Sequence, residues 1–358
     1  MAKNKDQHYV PEAHFKPFSV QQEGRAIHLC NIAKMIAIPN AAVKGQCSKH
    51  YFYGKDNIIE EFLLNLEGAY ATIVRNVQND AASLSPEDAA ELRRFIFLQS
   101  LRTEASIQRI SAAQMSMSSA IFRERQGDEP VPTDHDIVRF AMRAFSEASE
   151  VVADLKTCVL INHTKCGFIT SDDPAILTNR LHMQRFGDAN FGWSNSGAML
   201  FLPLTPRYAF MCYDGLVYTV LDKVNGTVNV HAVNDVETLN EFQALNCSRN
   251  LYFSNWGDRA SVLGRYDAVR TRRIASRHFI HVCIRDFVGG REIYRPATEE
   301  EQSRKGHFLL RSGNVYPVPP RWPSILKFRQ KPQTFSNGSG VGHVRKQEWL
   351  TSRTDRGW

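Results

Sequence analysis

Three groups of residues in this chain have the types that acid–base or phosphoryl chemistry requires. His8 and Tyr9 open the run HYVP near the N-terminus. A histidine exchanges protons near neutral pH or ligates a metal, and a tyrosine hydroxyl donates to a developing anion. Gln99 and Arg102 stand three apart in a segment of helical pattern, so they share one helix face. The planar guanidinium fork there suits phosphate or carboxylate. Ser171, Asp172 and Asp173 follow the apolar run 167–170 and precede Pro174. Three oxygen-bearing side chains therefore meet at one strand end. They suit a divalent cation, which wants oxygen ligands, or Asp172 can orient His8 as carboxylates do in acid–base sites.

Each group also has a structural reading. His8 can lock the backbone while Tyr9 packs. Arg102 can pair with Asp172 or Asp173 and join helices to sheet. SDDP has the composition of an Asx turn that ends a strand. Asn240, beside apolar Leu239, points into the same cleft or faces solvent. Other spacings fail on inspection. Cys158, His163 and Cys166 offer three ligands in no standard zinc spacing. His281 and Cys283 share a strand face, but two groups make no site. Gly192-x-Ser194-x-Ser196-Gly197 misses the nucleophile elbow by one residue, and Gly289-Gly290 lacks the context of a phosphate loop.

The elements that position these groups follow from periodicity and punctuation. The arm 1–20 has two prolines and spaced aromatics, which predict an extended segment anchored by Tyr9, Phe15 and Phe18. Strands are expected at 25–33 and 49–53, separated by a Pro39-Asn40 turn. A helix starts near Asp56, with Phe62, Leu63, Leu66, Tyr70 and Ile73 on one face. Ser85-Pro86 caps a second that runs to about Arg125, and a breaker follows at 127–132. Thr133 caps a third. Strands are then expected at 158–162, 167–170, 199–204 and 208–213, and a hairpin at 217–233 on Asn225-Gly226. A helix at 236–250 and strands at 251–254 and 278–284 complete the pattern. The stretch 336–342 (SNGSGVG) has linker composition.

The layout predicts an α+β fold, with a helical N-terminal half packed on a mostly antiparallel sheet. It divides into an arm with strands (1–55), a helical region (56–156) and a sheet region (157–285), with 1–285 as one domain. A basic, Pro/Gly-rich extension (286–358) follows. Hydrophobic residues make up 43% of the chain, enough for a sizeable core. No apolar run reaches the roughly 20 residues of a membrane span. The N-terminus shows no apolar signal region, and seven scattered cysteines fit a reduced compartment, so a cytoplasmic location is expected. Charge is uneven. From Gly257 to Trp358, 20 Lys/Arg stand against 9 Asp/Glu, a net of +11, which leaves −4 of the total +7 for the remainder. Such a segment predicts a phosphate-bearing partner, nucleic acid above all, or serves as a solvated tail.

Several landmarks together resemble an uncharacterised family marked by an N-terminal HYVP signature, known as domain of unknown function 4238. They are HYVPEAHFKPFS at 8–19, YFYG at 51–54, IEEFLLNLEGAYATIVR at 59–75 and FIFLQSLRT at 95–103, then FITSDDP at 168–174, FLPLTPR at 201–207 and LNEFQALNCSRNLYFS at 239–254. The resemblance covers about residues 8–256 and implies a shared fold, with no activity and no catalytic residue to carry over. From the residues themselves, the leading expectation is a phosphodiester-cleaving enzyme of nuclease type. His8, Tyr9, Gln99, Arg102, Ser171, Asp172 and Asp173 would form its catalytic cleft, with or without a divalent metal. The alternative is a non-catalytic module that binds nucleic acid or protein.

Overall fold

The computed structural model describes residues 5–56, 58–121, 132–289, 291–302, 308–337 and 342–351. The breaker residues 127–131 and the linker residues 338–341 lie outside them. The arm is docked against the body. Strand β1 (Asp6–His8) leads to a short helix, α1 (Glu12–Phe15), and a 3-10 turn, Lys16–Phe18. The expected fully extended arm is thus corrected. Pro11 does not prevent a helix but starts one, at a position where its missing N–H leaves no bond unmade. Tyr9, Phe15 and Phe18 are buried, as the aromatic spacing predicts.

β2 (Ala26–Asn31), β3 (Ile36–Ala42) and β4 (Ser48–His50) follow. Pro39-Asn40 is not the turn between strands. It lies inside β3, opposite a shift in register between Ile27 and Leu29, with Asn40 at φ +52°. β3 is the edge of its sheet, where a proline is tolerated. The aromatic run 51–53 is likewise a turn, not a strand. It ends at Gly54 (φ +107°), where an added Cβ would lie 2.4 Å from the His135 ring. Gln7 fixes this turn by accepting from the Tyr53 N–H (2.6 Å) and donating to the Gly54 carbonyl (2.9 Å).

Four helices come next: α2 (Ile58–Asn79), α3 (Pro86–Arg102), α4 (Glu104–Ile121) and α5 (Asp134–Ala148). Ser85 caps α3, and Thr133 with Asp136 forms a capping box on α5. The single helix expected from Pro86 to about Arg125 is two. Thr103 adopts extended backbone between them and caps α4, accepting from the Ser106 N–H.

The second half is mostly sheet. β5 (Lys156–Asn162), β6 (Thr170–Ser171), β7 (Ile176–Asn179), β8 (Ala198–Pro203), β9 (Tyr208–Tyr213), β10 (Tyr218–Val220) and β11 (Thr227–Val230) precede helix α6 (Val233–Asn246) and β12 (Asn250–Phe253). Five strands run in the order β11-β5-β9-β8-β7, antiparallel except for β11 against β5. Four more run β3-β2-β12-β6, all antiparallel. Asn225-Gly226 does make a tight turn, both residues at positive φ, with Val224 and Thr227 exchanging two backbone bonds. The hairpin expected around it does not extend, because β10 and β11 pair elsewhere. The Tyr218 hydroxyl accepts from the Leu181 N–H and donates to the Gly197 carbonyl, which holds β10 away.

α7 (Arg259–Val269) leads into a three-stranded antiparallel sheet of β13 (His278–Val288), β14 (Arg291–Pro296) and β15 (Phe308–Asn314). β16 (Leu326–Phe328) pairs with β10. The chain after Asp286 therefore carries strands of its own. With helices in the first half and mostly antiparallel sheets in the second, the fold is α+β. All seven cysteines are free. Among the described residues no helix is long and apolar enough to cross a membrane.

Candidate functional site

The stretch 167–174 is bound along its length by the amides of α6. Only Thr170 and Ser171 of it join a sheet, so the backbone groups on either side need other partners. Asn240, Gln243 and Asn246 recur at three-residue spacing on one helix face and supply them. Asn240 accepts from the Ile169 N–H (3.0 Å) and donates to the Gly167 carbonyl (2.9 Å). Gln243 donates to the Pro174 carbonyl (2.8 Å) and accepts from the Ser171 hydroxyl (2.7 Å). Asn246 donates to the Asp173 carbonyl (2.6 Å). Asn240 thus faces the strand, not solvent.

The two aspartates at its end point to different partners. Asp172 accepts from the backbone N–H groups of Ser248 (2.7 Å), Arg249 (2.6 Å) and Asn250 (3.2 Å). Burial nevertheless pushes its carboxyl up to about 6, against the pull of those bonds. Asp173 accepts from the Thr103 hydroxyl (2.8 Å) and pairs with Arg109 (2.7 Å). It therefore ties the α3–α4 junction to the sheet. The ion pair that the sequence suggests for Arg102 is made by Arg109 instead. These carboxylates already accept from N–H, hydroxyl and guanidinium donors. Among the described residues no group of three or more His, Cys, Asp or Glu stands where it could hold a metal.

Arg102 and Gln99 are fully buried. Gln99 donates to the Tyr9 carbonyl (2.8 Å) and accepts from Arg102 Nε (2.9 Å). Arg102 Nη1 pairs with Glu67 (2.7 Å). Burial works against this guanidinium's charge, but Tyr53 and Glu67 beside it hold its pKa above the ordinary value. The Tyr9 hydroxyl donates to Glu104 (3.4 Å), and burial raises its pKa. His8 bonds the Gln46 carbonyl through Nδ1 (3.2 Å) and Glu12 through Nε2 (3.1 Å). Of the seven residues singled out by sequence, His8 lines a cavity, of about 390 Å³, with Glu12, Glu60, Glu61 and Glu67.

A histidine that sequence reasoning passed over is more deeply placed. His14 is buried, with Nδ1 on the Tyr70 hydroxyl and Nε2 on the Thr170 hydroxyl, both at 2.7 Å. Burial, with Arg102 nearby, lowers its pKa to about 3, so the ring is neutral. It joins the arm to α2 and to β6 in one step. Its place on the buried side of α1 gives no signal in a segment read as extended.

The second missed feature is a cleft. Two adjoining cavities, of about 290 and 470 Å³, share Arg109, Asn246, Arg277 and His278 on their walls. Arg273 also lines the smaller one. Among the described residues no Asp or Glu lines either. Arg273 donates to the Ala244 carbonyl (2.9 Å) and the Cys247 sulfur (3.2 Å). Arg277 donates to the Leu245 carbonyl (3.0 Å) and to Asn246 Oδ1. Both guanidiniums thus sit at the C-terminus of α6, where the helix dipole favours cations, yet among the described residues neither makes a hydrogen bond or ion pair with a carboxylate. Burial, with Arg109 adding repulsion, lowers Arg277 to about 10 against the pull of nearby Asp173. Both ring nitrogens of His278 are buried without a hydrogen-bond partner among the described residues, as is Gln114 Oε1 in the larger cavity. The sequence signal was the run RTRRIASRH at 270–278, which a sum over the whole basic segment conceals.

Part of the remaining basic charge after Gly257 is matched internally. Arg265 and Arg321 pair with Glu237, Arg321 also with Glu241, Arg295 with Asp286 and Glu301, and Arg345 with Asp154. Three of these arginines reach acidic residues of the body, whose net charge is negative. Fold and site together define an α+β protein with a closed polar interior and an open cationic cleft. The chain belongs to the DUF4238 family of proteins of unknown function, whose model matches residues 6–256. No curated protein and no solved structure matches it.

Proposed function

We propose that this protein binds a phosphate ester in the cleft between α4, the C-terminus of α6 and the start of β13. One observation carries the reading: Arg109, Arg273, Arg277 and His278 line a cleft with no carboxylate on its walls among the described residues. Crowded cations in a partly desolvated site are costly, and a bound dianion relieves that cost while accepting several charge-assisted bonds. In this reading Asp172, Asp173, Gln99, Arg102, Ser171, Tyr9 and His8 are the scaffold. They lock the arm, the α3–α4 junction and the 167–174 stretch, and Asp173 orients Arg109 toward the cleft.

The unpartnered ring of His278 supports a second reading, in which the bound ester is a phosphodiester and is cleaved. His278 then takes a proton from an attacking water, whose oxygen bonds phosphorus as the ester P–O bond breaks. The departing alkoxide is protonated, and the guanidiniums hold the charge that develops on phosphorus-bound oxygen. Nucleic acid is the polymer that offers such a group, and the cations after Gly257 supply its approach.

Calorimetric titration with inorganic phosphate tests the first reading. Losing a charge-assisted bond costs about ten-fold in affinity or more, so Arg277→Gln and Arg273→Gln should each weaken binding by at least that factor. Wild type that binds no phosphate, or variants that bind it equally well, would overturn it. Cleavage of a bis(p-nitrophenyl) phosphate probe that is lost in His278→Ala, with phosphate binding retained, supports the second. An inactive wild type sinks it.

A further inference from the structure

We infer that the ligand is a small phosphate ester carrying a planar, nitrogen-bearing aromatic ring, of the mononucleotide class. The inference rests on the phosphate reading and adds the occupant of the larger cavity. That cavity opens from the cationic cleft across Arg109, Asn246, Arg277 and His278, and its character changes within a few residues. Leu101, Ile110, Met117, Phe140, Trp193 and Tyr316 make its walls largely apolar and ring-rich. Its volume of about 470 Å³ is that of an ordinary small-molecule site.

The rings are fixed in advance. Tyr316 stacks on Phe191 (centroids 4.3 Å, 10°), and Trp193 meets Phe97 edge to face (4.8 Å). Each is thus held from behind by another ring, and so is oriented before a ligand arrives. An aliphatic tail needs neither flat rings nor polar groups. This chamber has both, because Gln114 Oε1 is buried there without a donor among the described residues. A buried acceptor left unmatched is costly, and a ring N–H or an exocyclic amine supplies the match. A planar heteroaromatic ring linked to a phosphate places its anionic end on the guanidiniums and its ring in the chamber. The backbone of a nucleic-acid polymer needs the cationic cleft alone.

The test is calorimetric titration of the full chain with inorganic phosphate, ribose 5-phosphate and the four common nucleoside 5′-monophosphates. Stacking a base on an aromatic wall adds about ten-fold or more in affinity, so at least one monophosphate should bind that much tighter than phosphate and ribose 5-phosphate. Ala113→Phe, which fills the chamber from α4 and leaves the arginines in place, should bring that monophosphate down to the level of phosphate. Gln114→Leu should weaken the monophosphate several-fold and leave phosphate unchanged. Equal binding of all six probes to wild type would overturn the chamber while the phosphate site stood. So would Ala113→Phe binding the monophosphate as tightly as wild type. Binding of none of the six would remove both readings together.

Discussion

Arg102 is fully buried and Arg277 half-buried, and their surroundings are opposite. Arg102 has Glu67 at 2.7 Å and Gln99 beside it, and its pKa stands above the ordinary arginine value. Arg277 has a helix-end carbonyl and an amide oxygen, with Arg109 and Arg273 as neighbours, and its pKa falls to about 10. The first lies in a network that runs from the arm through α3 and gives its charge a carboxylate partner, although its Nη2 has no hydrogen-bond partner among the described residues. The second lines an open cleft in which Asp173 pairs with Arg109, while Arg273 and Arg277 make no hydrogen bond to a carboxylate among the described residues. A protein keeps an unmatched cation out of bulk water at a cost in stability, and a ligand that matches it recovers that cost. Residue type alone does not separate the two cases; the partner does.

The sharpest break in this contrast is Arg102→Met. Removing one partner of a buried pair costs about 3–5 kcal/mol, here by stranding Gln99 and Glu67, and should lower the denaturation midpoint accordingly. Arg277→Leu should move stability by less than about 1 kcal/mol, because it loses two hydrogen bonds to neutral acceptors but relieves cationic repulsion. If the two variants melt alike, the distinction between paired network and open cleft fails.

His14→Phe comes next. It keeps a ring in place but leaves the Tyr70 and Thr170 hydroxyls unpaired, at about 1–3 kcal/mol for each. The pH dependence has a definite sign. The pKa of His14 is lowered on folding, so its contribution is present above the unfolded value near 6.5 and is lost as pH falls towards 3. Chemical denaturation at pH 7 and pH 4.5 should show the gap between wild type and His14→Phe narrowing at the lower pH. A gap that stays constant would mean the ring is not held neutral.

Asp172 gives a smaller effect of opposite sign. Its pKa is raised to about 6, so its contribution is greatest below the ordinary carboxyl value and is lost as pH rises through 6. Relative to Asp172→Asn, wild type should gain stability as pH drops from 7 to 4. A loss over that range would show the three backbone N–H groups dominating burial.

The contrast also marks what could be read in the sequence. Helix caps are local, so Ser85 and Thr133 announced their helices from residue type alone. The buried aromatics of the arm were equally legible. The break at Thr103 was not, because it depends on a hydroxyl reaching Asp173, far along the chain. For the same reason the pairing of Asp173 fell to Arg109, one helix beyond the arginine that periodicity favoured. The hairpin at Asn225-Gly226 failed because a turn specifies its own geometry but not which neighbours its strands choose. The cationic cleft was hidden in a total. A net charge of +11 counts Arg321 and Arg345, which are matched by Glu241 and Asp154, equally with Arg273 and Arg277, which make no bond to a carboxylate among the described residues.

The central claim is that the cleft takes an anion, and a heavy tetrahedral oxyanion locates it directly. Crystals of the full chain soaked in tungstate should show their strongest anomalous peak within hydrogen-bonding distance of the Arg273 and Arg277 guanidiniums, and Arg277→Gln crystals should lose it. A strongest peak at another surface arginine, with the cleft empty, would contradict the account.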